Sequence, residues 1–393
     1  MGHSQRPVVV FDEAVTSYNF GPTHPMAPVR VELTLELAGG LGVLDHLDLV
    51  GAVPATDDEL SAIHSAGYIE RVQKLSAHPI HRDLAIGLGG DDNPVFAGMH
   101  EASALIAGAS VEAARRVWTG EAPRAANVAG GLHHAMPDRA SGFCIYNDIA
   151  LAIRWLLDHG ADRVAYVDVD AHHGDGVQTM FWDDPRVLTI SIHEGPQTLF
   201  PGTGFATETG GAQAPGTAVN LPLPPGTSDA GWFRAFHAVV PQVLREFKPQ
   251  ILVTQHGCDS HMDDPLTNLM LSVDGQRQSY VVLRELADEL CDGKWVVTGG
   301  GGYAVTEVVP RSWTHLLGIV ADHPIDPATP TPADWQAFVQ HRQGVVAPTR
   351  MSDGRTPSYR AWEQGFDPAS WLDRSINAAR QAVFPLVGID PLY

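Results

Sequence analysis

Short β-rich apolar runs recur along the chain: VVVF at 8–11, AANVA at 125–129, RVAYVDV at 163–169, RVLTISI at 186–192, QILVTQ at 250–255 and KWVVT at 294–298. Between several of them the apolar spacing becomes helical. Ile149, Ala152, Ile153, Leu156 and Leu157 share one helix face. An alanine-rich stretch over Met99–Trp118 and an imperfect stripe of Val281, Leu283, Leu286 and Leu290 within Gly275–Leu290 predict two more helices. A fourth is expected over Ser228–Phe247, kinked or divided by Pro241, because proline has no N–H to donate and its ring crowds the preceding turn. Strands alternating with helices predict an α/β fold: a single three-layer domain with a central, mostly parallel sheet and helices on both faces. No internal repeat is found. The proline-rich DHPIDPATPTPADW begins at Asp322, so residues 1–321 are expected to form the main domain and 322–393 an extension packing on it.

The residues just after each run tell more than the run itself. AANVA leads to GGLHHA, RVAYVDV to DAHHGDG, RVLTISI to HEG, QILVTQ to HGCDSH and KWVVT to GGGGY. In open α/β sheets, sites form beyond the carboxyl ends of the strands, so titratable and Gly-rich chemistry at five such ends predicts one convergent site.

Composition narrows the chemistry. The formal net charge is −21, which repels phosphate backbones, so no nucleic-acid partner is expected and a cationic or Lys-flanked substrate is favoured. Three cysteines, widely spaced and without a CxxC pair, argue against a disulfide framework or a Cys-rich zinc site and suit a reducing cytoplasm. No apolar run approaches the ~18 residues of a membrane helix. The start MGHSQRPVVVF has no long apolar leader, and Arg6 stands where a myristoylation motif needs Ser or Thr.

The stretch YVDVDAHHGDG, Tyr166–Gly176, sets three aspartates behind a buried-type strand, where unpaired carboxylates are costly. A metal ion resolves the cost. Asp170 and His172, two apart in an extended or turning segment, are natural first-row ligands, and Asp259 in HGCDSH is the third candidate. The alternative is a solvated loop or a salt-bridge cluster. His133 and His134, beside the spare carboxylates of Asp168 and Asp175, permit two Asp–His dyads suited to general acid–base work. Tyr303 follows four glycines, which let backbone approach a substrate and a phenol reach a developing oxyanion. A phosphate-cradling loop is the other reading of those glycines, but no GxxxxGK[ST] appears.

Taken together, GPTHPMAPVR (21–30), DDNPVFAGMHEAS (91–103), GGLHHAMPDRASGFCIYNDIA (130–150), YVDVDAHHGDGVQTMF (166–181), TISIHEGPQTLFPGTG (189–204), GCDSHMDDPLTNLMLS (257–272) and GGGGYAVTEVVPRSW (299–313) resemble the zinc-dependent histone deacetylase superfamily with the arginase-like fold. Within it the chain is most similar to bacterial acetoin-utilisation deacetylases, close to class I. The resemblance implies removal of acetyl groups from protein acetyl-lysine by metal-activated water in the cytoplasm. It matches Asp170, His172 and Asp259 to the ligands of one zinc ion (Fe2+ being the other ion such a set accepts). His134 matches the general base and acid, His133 its electrostatic neighbour, Asp168 and Asp175 their partners, and Tyr303 the transition-state tyrosine. Substrate contacts fall on Asp92, Gly142, Phe143, Phe200 and Leu266, and Arg30 lies beneath the site. Structural potassium is implied at Asp168, Asp170, His172, Ser191 and Ile192, with a second ion near Phe181 and Val187. An acyl-CoA synthetase is the implied protein substrate. Cys258 and His261 depart from the family pattern. Rival readings are an acetylpolyamine amidohydrolase, a non-catalytic acyl-lysine-binding module and a two-metal arginase-like ureohydrolase. No long insertion between Arg30 and Asp92 narrows an entrance as in the polyamine branch.

Overall fold

Eight strands hydrogen-bond side by side in the order β2-β1-β3-β8-β7-β4-β5-β6, every pair parallel. They are β1 (Val8–Val10), β2 (Asp48–Val50), β3 (Arg124–Asn127), β4 (Val164–Asp168), β5 (Val187–Glu194), β6 (Ala218–Leu223), β7 (Ile251–Gln255) and β8 (Trp295–Thr298). This is a computed structural model, and it describes residues 6–391; the Met1–Gly2 start lies outside the described residues.

Alternation along each strand shows why both faces are covered. In β4, Val164 and Tyr166 join one apolar cluster with the helices Met99–Trp118 and Asp148–Asp158. Ala165 and Val167 join the other, built with Asp229–Phe247, Val273–Leu290 and Val309–Val320. The sheet is therefore the middle of three layers. No helix among the described residues is long and apolar enough to cross a membrane.

The register sets the site. Asn127 pairs with Thr298, Thr298 with Gln255, Gln255 with Asp168, Asp168 with Ser191, and Ser191 with Asn220. One row of buried polar residues thus crosses six strands; in β3, β8, β7 and β4 it is the last residue of the strand, while β5 and β6 run three residues further.

Several expectations needed correction. Pro241 does not divide its helix, which runs unbroken over Asp229–Phe247. The carbonyl that proline leaves without an N–H belongs to His237, and the side-chain amide of Gln242 donates to it at 3.1 Å. The two edge strands gave no apolar run: β2 is short and mostly exposed, and β6 carries Asn220 and Pro222. Proline is tolerated there because β6 is an edge.

Residues 322–391 pack across the domain. Trp335, in helix Ala333–Gln343, donates from Nε1 to the Leu33 carbonyl at 2.9 Å. Asp373, in helix Trp371–Val383, pairs with Arg234 through two contacts of 2.7 Å. The same arginine donates to the carbonyls of Arg360, Ala361 and Gly365.

Candidate metal centre and its acid–base pair

β4 ends at Asp168, so Asp170 and His172 arise from the bend beyond it rather than from the strand. The bend is held by its own carboxylates. Asp168 Oδ1 accepts the Asp170 N–H at 3.1 Å, and Asp170 Oδ1 accepts the His172 N–H at 2.9 Å. Asp259, from the loop after β7, accepts the Ala171 N–H at 2.8 Å. Asp170, His172 and Asp259 each bring a ligand atom within 4.8 Å of the others, all three buried. His172 Nδ1 lies 3.0 Å from Asp170 Oδ1 and 2.9 Å from Asp259 Oδ2.

The donor set fits a divalent cation. One imidazole proton cannot serve two carboxylates, and two buried anions resist joint ionisation. Burial, and then the Asp170 charge, push Asp259 up to about 7. A dication held between them removes that penalty. The backbone is shaped for the same cradle: a Cβ at Gly257 would stand 2.0 Å from Asp170 Oδ2, and one at Gly301 would stand 2.1 Å from Asp259 Oδ2. Asp170 Oδ2 also accepts from Gln255 Nε2 at 2.7 Å and from the Gly301 N–H at 2.9 Å.

His133 and His134 stand beside the triad. His133 Nδ1 meets Asp168 Oδ2, and His134 Nδ1 meets Asp175 Oδ1, each at 2.7 Å. A carboxylate at Nδ1 fixes the proton there, so the two Nε2 atoms face each other, 3.0 Å apart. Burial depresses both rings. At His133 the nearby Asp168 and Asp170 charges outweigh it and raise the pKa to about 9. At His134 burial is reinforced by the charge on His133, which leaves it at about 4. The two shifts run in opposite directions, which makes His133 the more basic ring and His134 the one suited to act as a neutral base.

Most of the other candidate residues surround this centre. The Tyr303 N–H donates to Asp264 Oδ2 at 2.8 Å, and burial raises its phenol so that it stays protonated. The rings of Phe143 and Tyr303 meet edge to face at 5.7 Å, and Phe200 meets His134 likewise at 5.1 Å. Phe143 adopts φ 67°, its carbonyl held by the Tyr18 hydroxyl at 2.7 Å. Asp92 Oδ2 accepts the Gly142 N–H at 2.9 Å, and a Cβ at Gly142 would strike the His134 ring. Leu266 is exposed on the Asp259 loop, its N–H donating to Asp264 Oδ1 at 3.0 Å. Arg30 is buried below, donating to the Gly302 carbonyl at 3.2 Å, with Trp313 5.1 Å from its guanidinium carbon. Ser191 sits beside Asp168 in register, followed by Ile192. Phe181 and Val187 lie apart from them, at the end of the short helix Asp175–Met180 and the start of β5. Cys258 is kept neutral by burial and points its thiol at the His256 carbonyl; all three cysteines are free and buried.

Sequence reasoning missed Gln255, Asp264, Tyr166 and His24. Gln255 ends an apolar run, and a polar residue in that place was a usable signal. Tyr166 donates to Asp168 Oδ2 at 2.5 Å, and the His24 ring meets Phe143 at 4.5 Å.

The chain matches the Histone deacetylase domain family over residues 24–320. It is 40% identical over 348 residues to the acetoin utilization protein AcuC of Bacillus subtilis (strain 168), covering 88% of this chain and 89% of that one. It is 38% identical over 353 residues to AcuC of Staphylococcus aureus (strain MSSA476), covering 89% and 90%. Against AcuC of Staphylococcus xylosus it is 38% identical over 349 residues, covering 88% and 90%.

Proposed function

The chain belongs to the histone deacetylase family of amidohydrolases, and we propose that it removes acetyl groups from lysine side chains of proteins, releasing acetate and free lysine. The observation that carries this reading is His134, backed by Asp175 at 2.7 Å and with its ring 5.8 Å from that of His172, beside a buried three-donor cation site.

A zinc ion held by Asp170, His172 and Asp259 would supply Lewis-acid polarisation of the acetyl carbonyl and more acidic water. His134 Nε2 takes the proton of the attacking water, with Asp175 holding the ring in the right tautomer. The charged His133 stabilises the anion that forms, and the Tyr303 phenol donates a hydrogen bond to its oxygen. His134 then returns the proton to the departing amine. Phe143 and Phe200 flank the opening and shield the four methylenes of the lysine, which carry no charge until release. Potassium at Asp168, Asp170, His172, Ser191 and Ile192, and a second ion near Phe181 and Val187, belong to the same proposal. So do a cytoplasmic setting and an acylated acyl-CoA synthetase as substrate.

The test is a panel of an acetyl-lysine peptide and acetylspermidine, run with metal-stripped protein and after adding back Zn2+ or Fe2+. The peptide is expected to be cleaved only by the metal-restored protein, and faster than the polyamine. Faster cleavage of acetylspermidine would replace the protein substrate with a polyamine; cleavage of neither would remove the deacetylase reading.

A further inference from the structure

The matched family domain ends at residue 320, yet one carboxylate from beyond it reaches the loop that carries Asp259. Asp353 Oδ2 lies 2.8 Å from His261 Nε2 and accepts the Val273 N–H at 2.8 Å. Its Oδ1 accepts from Arg311 Nη1 at 2.8 Å. These three partners belong to three different parts of the site. His261 lies in the loop carrying Asp259, two residues on. Val273 begins the helix after that loop. Arg311 lies in the helix Val309–Val320, which comes after Tyr303.

His261 is buried, with 1% of its surface exposed, and its protonation pattern is legible. The Asp263 N–H donates to Nδ1 at 3.0 Å, so Nε2 carries the proton and donates to Asp353. From His261 the loop continues to Asp264, whose N–H donates to the His261 carbonyl at 3.0 Å and whose carboxylate receives the Tyr303 N–H. Asp353 is itself fixed. Asp274 Oδ2 accepts the N–H groups of Asp353 and Arg355 at 3.1 and 2.8 Å, and His315 Nε2 meets the Met351 carbonyl at 3.0 Å.

From this we infer that Asp353, acting through His261, is a positioning residue that sets the separation between the metal ligand Asp259 and the phenol of Tyr303. The C-terminal segment is thereby part of the machinery rather than a cover for it. The orientation of His261 explains why a second histidine stands beside the ligand loop without joining the donor set: both ring nitrogens are already committed. The inference rests on the reading of Asp259 as a metal ligand.

The test measures Co2+ affinity and its visible absorption in the full chain, with kcat and KM for an acetyl-lysine peptide and the thermal midpoint. Partners that orient metal ligands typically contribute about 10–100-fold to metal affinity or activity. His261→Met keeps the bulk of the ring without its donor; with Asp353→Ala, it is expected to weaken Co2+ binding or kcat at least about tenfold, shift the Co2+ spectrum and leave KM unchanged. His261→Gln, whose amide can still donate to Asp353, is expected to restore most of the loss. Asp373→Asn, in the same extension but distant in contact, should lower the midpoint and leave the Co2+ spectrum unchanged. The inference is overturned if wild-type Co2+ binding is normal and folded His261→Met matches it in affinity, spectrum and kcat, or if Gln fails to rescue. A wild-type chain that binds no Co2+ would instead sink the metal reading itself.

Discussion

At the scale of single residues, Tyr303 separates binding from turnover. Its backbone is held by Asp264 and its ring by Phe143, neither of which needs the hydroxyl. Tyr303→Phe should therefore keep metal affinity and fold. Turnover should fall about 10²–10³-fold, the usual loss for one oxyanion donor. Metal dialysis and steady-state rates on the same sample check both halves. A variant as fast as the parent would remove the oxyanion role. The residues legible from sequence were those whose charge was conspicuous behind an apolar run: Asp170, His172, the His133–His134 pair and, after four glycines, Tyr303. Gln255 and Asp264 were not. The one signal for Gln255 was its place at the end of an apolar run, a lone acid such as Asp264 gives none, and their partners, Asp170 and Tyr303, lie 85 and 39 residues away.

At the scale of elements, the parallel sheet was legible because central strands are apolar on both faces and so read as unbroken runs. β2 was silent because it is three residues long and mostly exposed, and β6, though buried, because Asn220 and Pro222 interrupt its apolar residues. Pro241 shows the converse: a rule about proline was overridden by one side-chain amide serving the stranded carbonyl. The helix Trp371–Val383 is fixed by Arg234 and Asp373, both nearly inaccessible. Burial alone would raise the Asp373 pKa, but the hydrogen bonds from Arg234 prevail and hold it below the usual carboxylate range. A depressed folded-state pKa adds stability that is complete above the unfolded value, about 3.9, and fades as pH falls through the folded value. Asp373→Asn should thus cost about 3–5 kcal/mol near neutrality, with the gap to wild type shrinking below about pH 4. Denaturant unfolding at several pH values checks this. A gap that persisted unchanged at low pH would show that the ion pair is not its source.

At the scale of the molecule, six strands place polar residues in one row, and the segments beyond β3, β4 and β7 bring three ligands and two histidines together. The convergence of strand ends was readable from the sequence. The path by which residues past 320 return to brace the ligand loop was not, because a proline-rich stretch signals a break in the chain's pattern and says nothing of where the chain goes next. Everything proposed for the reaction depends on a single divalent ion shared by Asp170, His172 and Asp259. The direct measurement is divalent-ion stoichiometry, with Zn2+ as the probe, by equilibrium dialysis of the wild-type chain and of Asp170→Ala. One tightly held ion per wild-type chain, and none in the variant, is the expected result. Two ions per chain, or undiminished binding in Asp170→Ala, would contradict it.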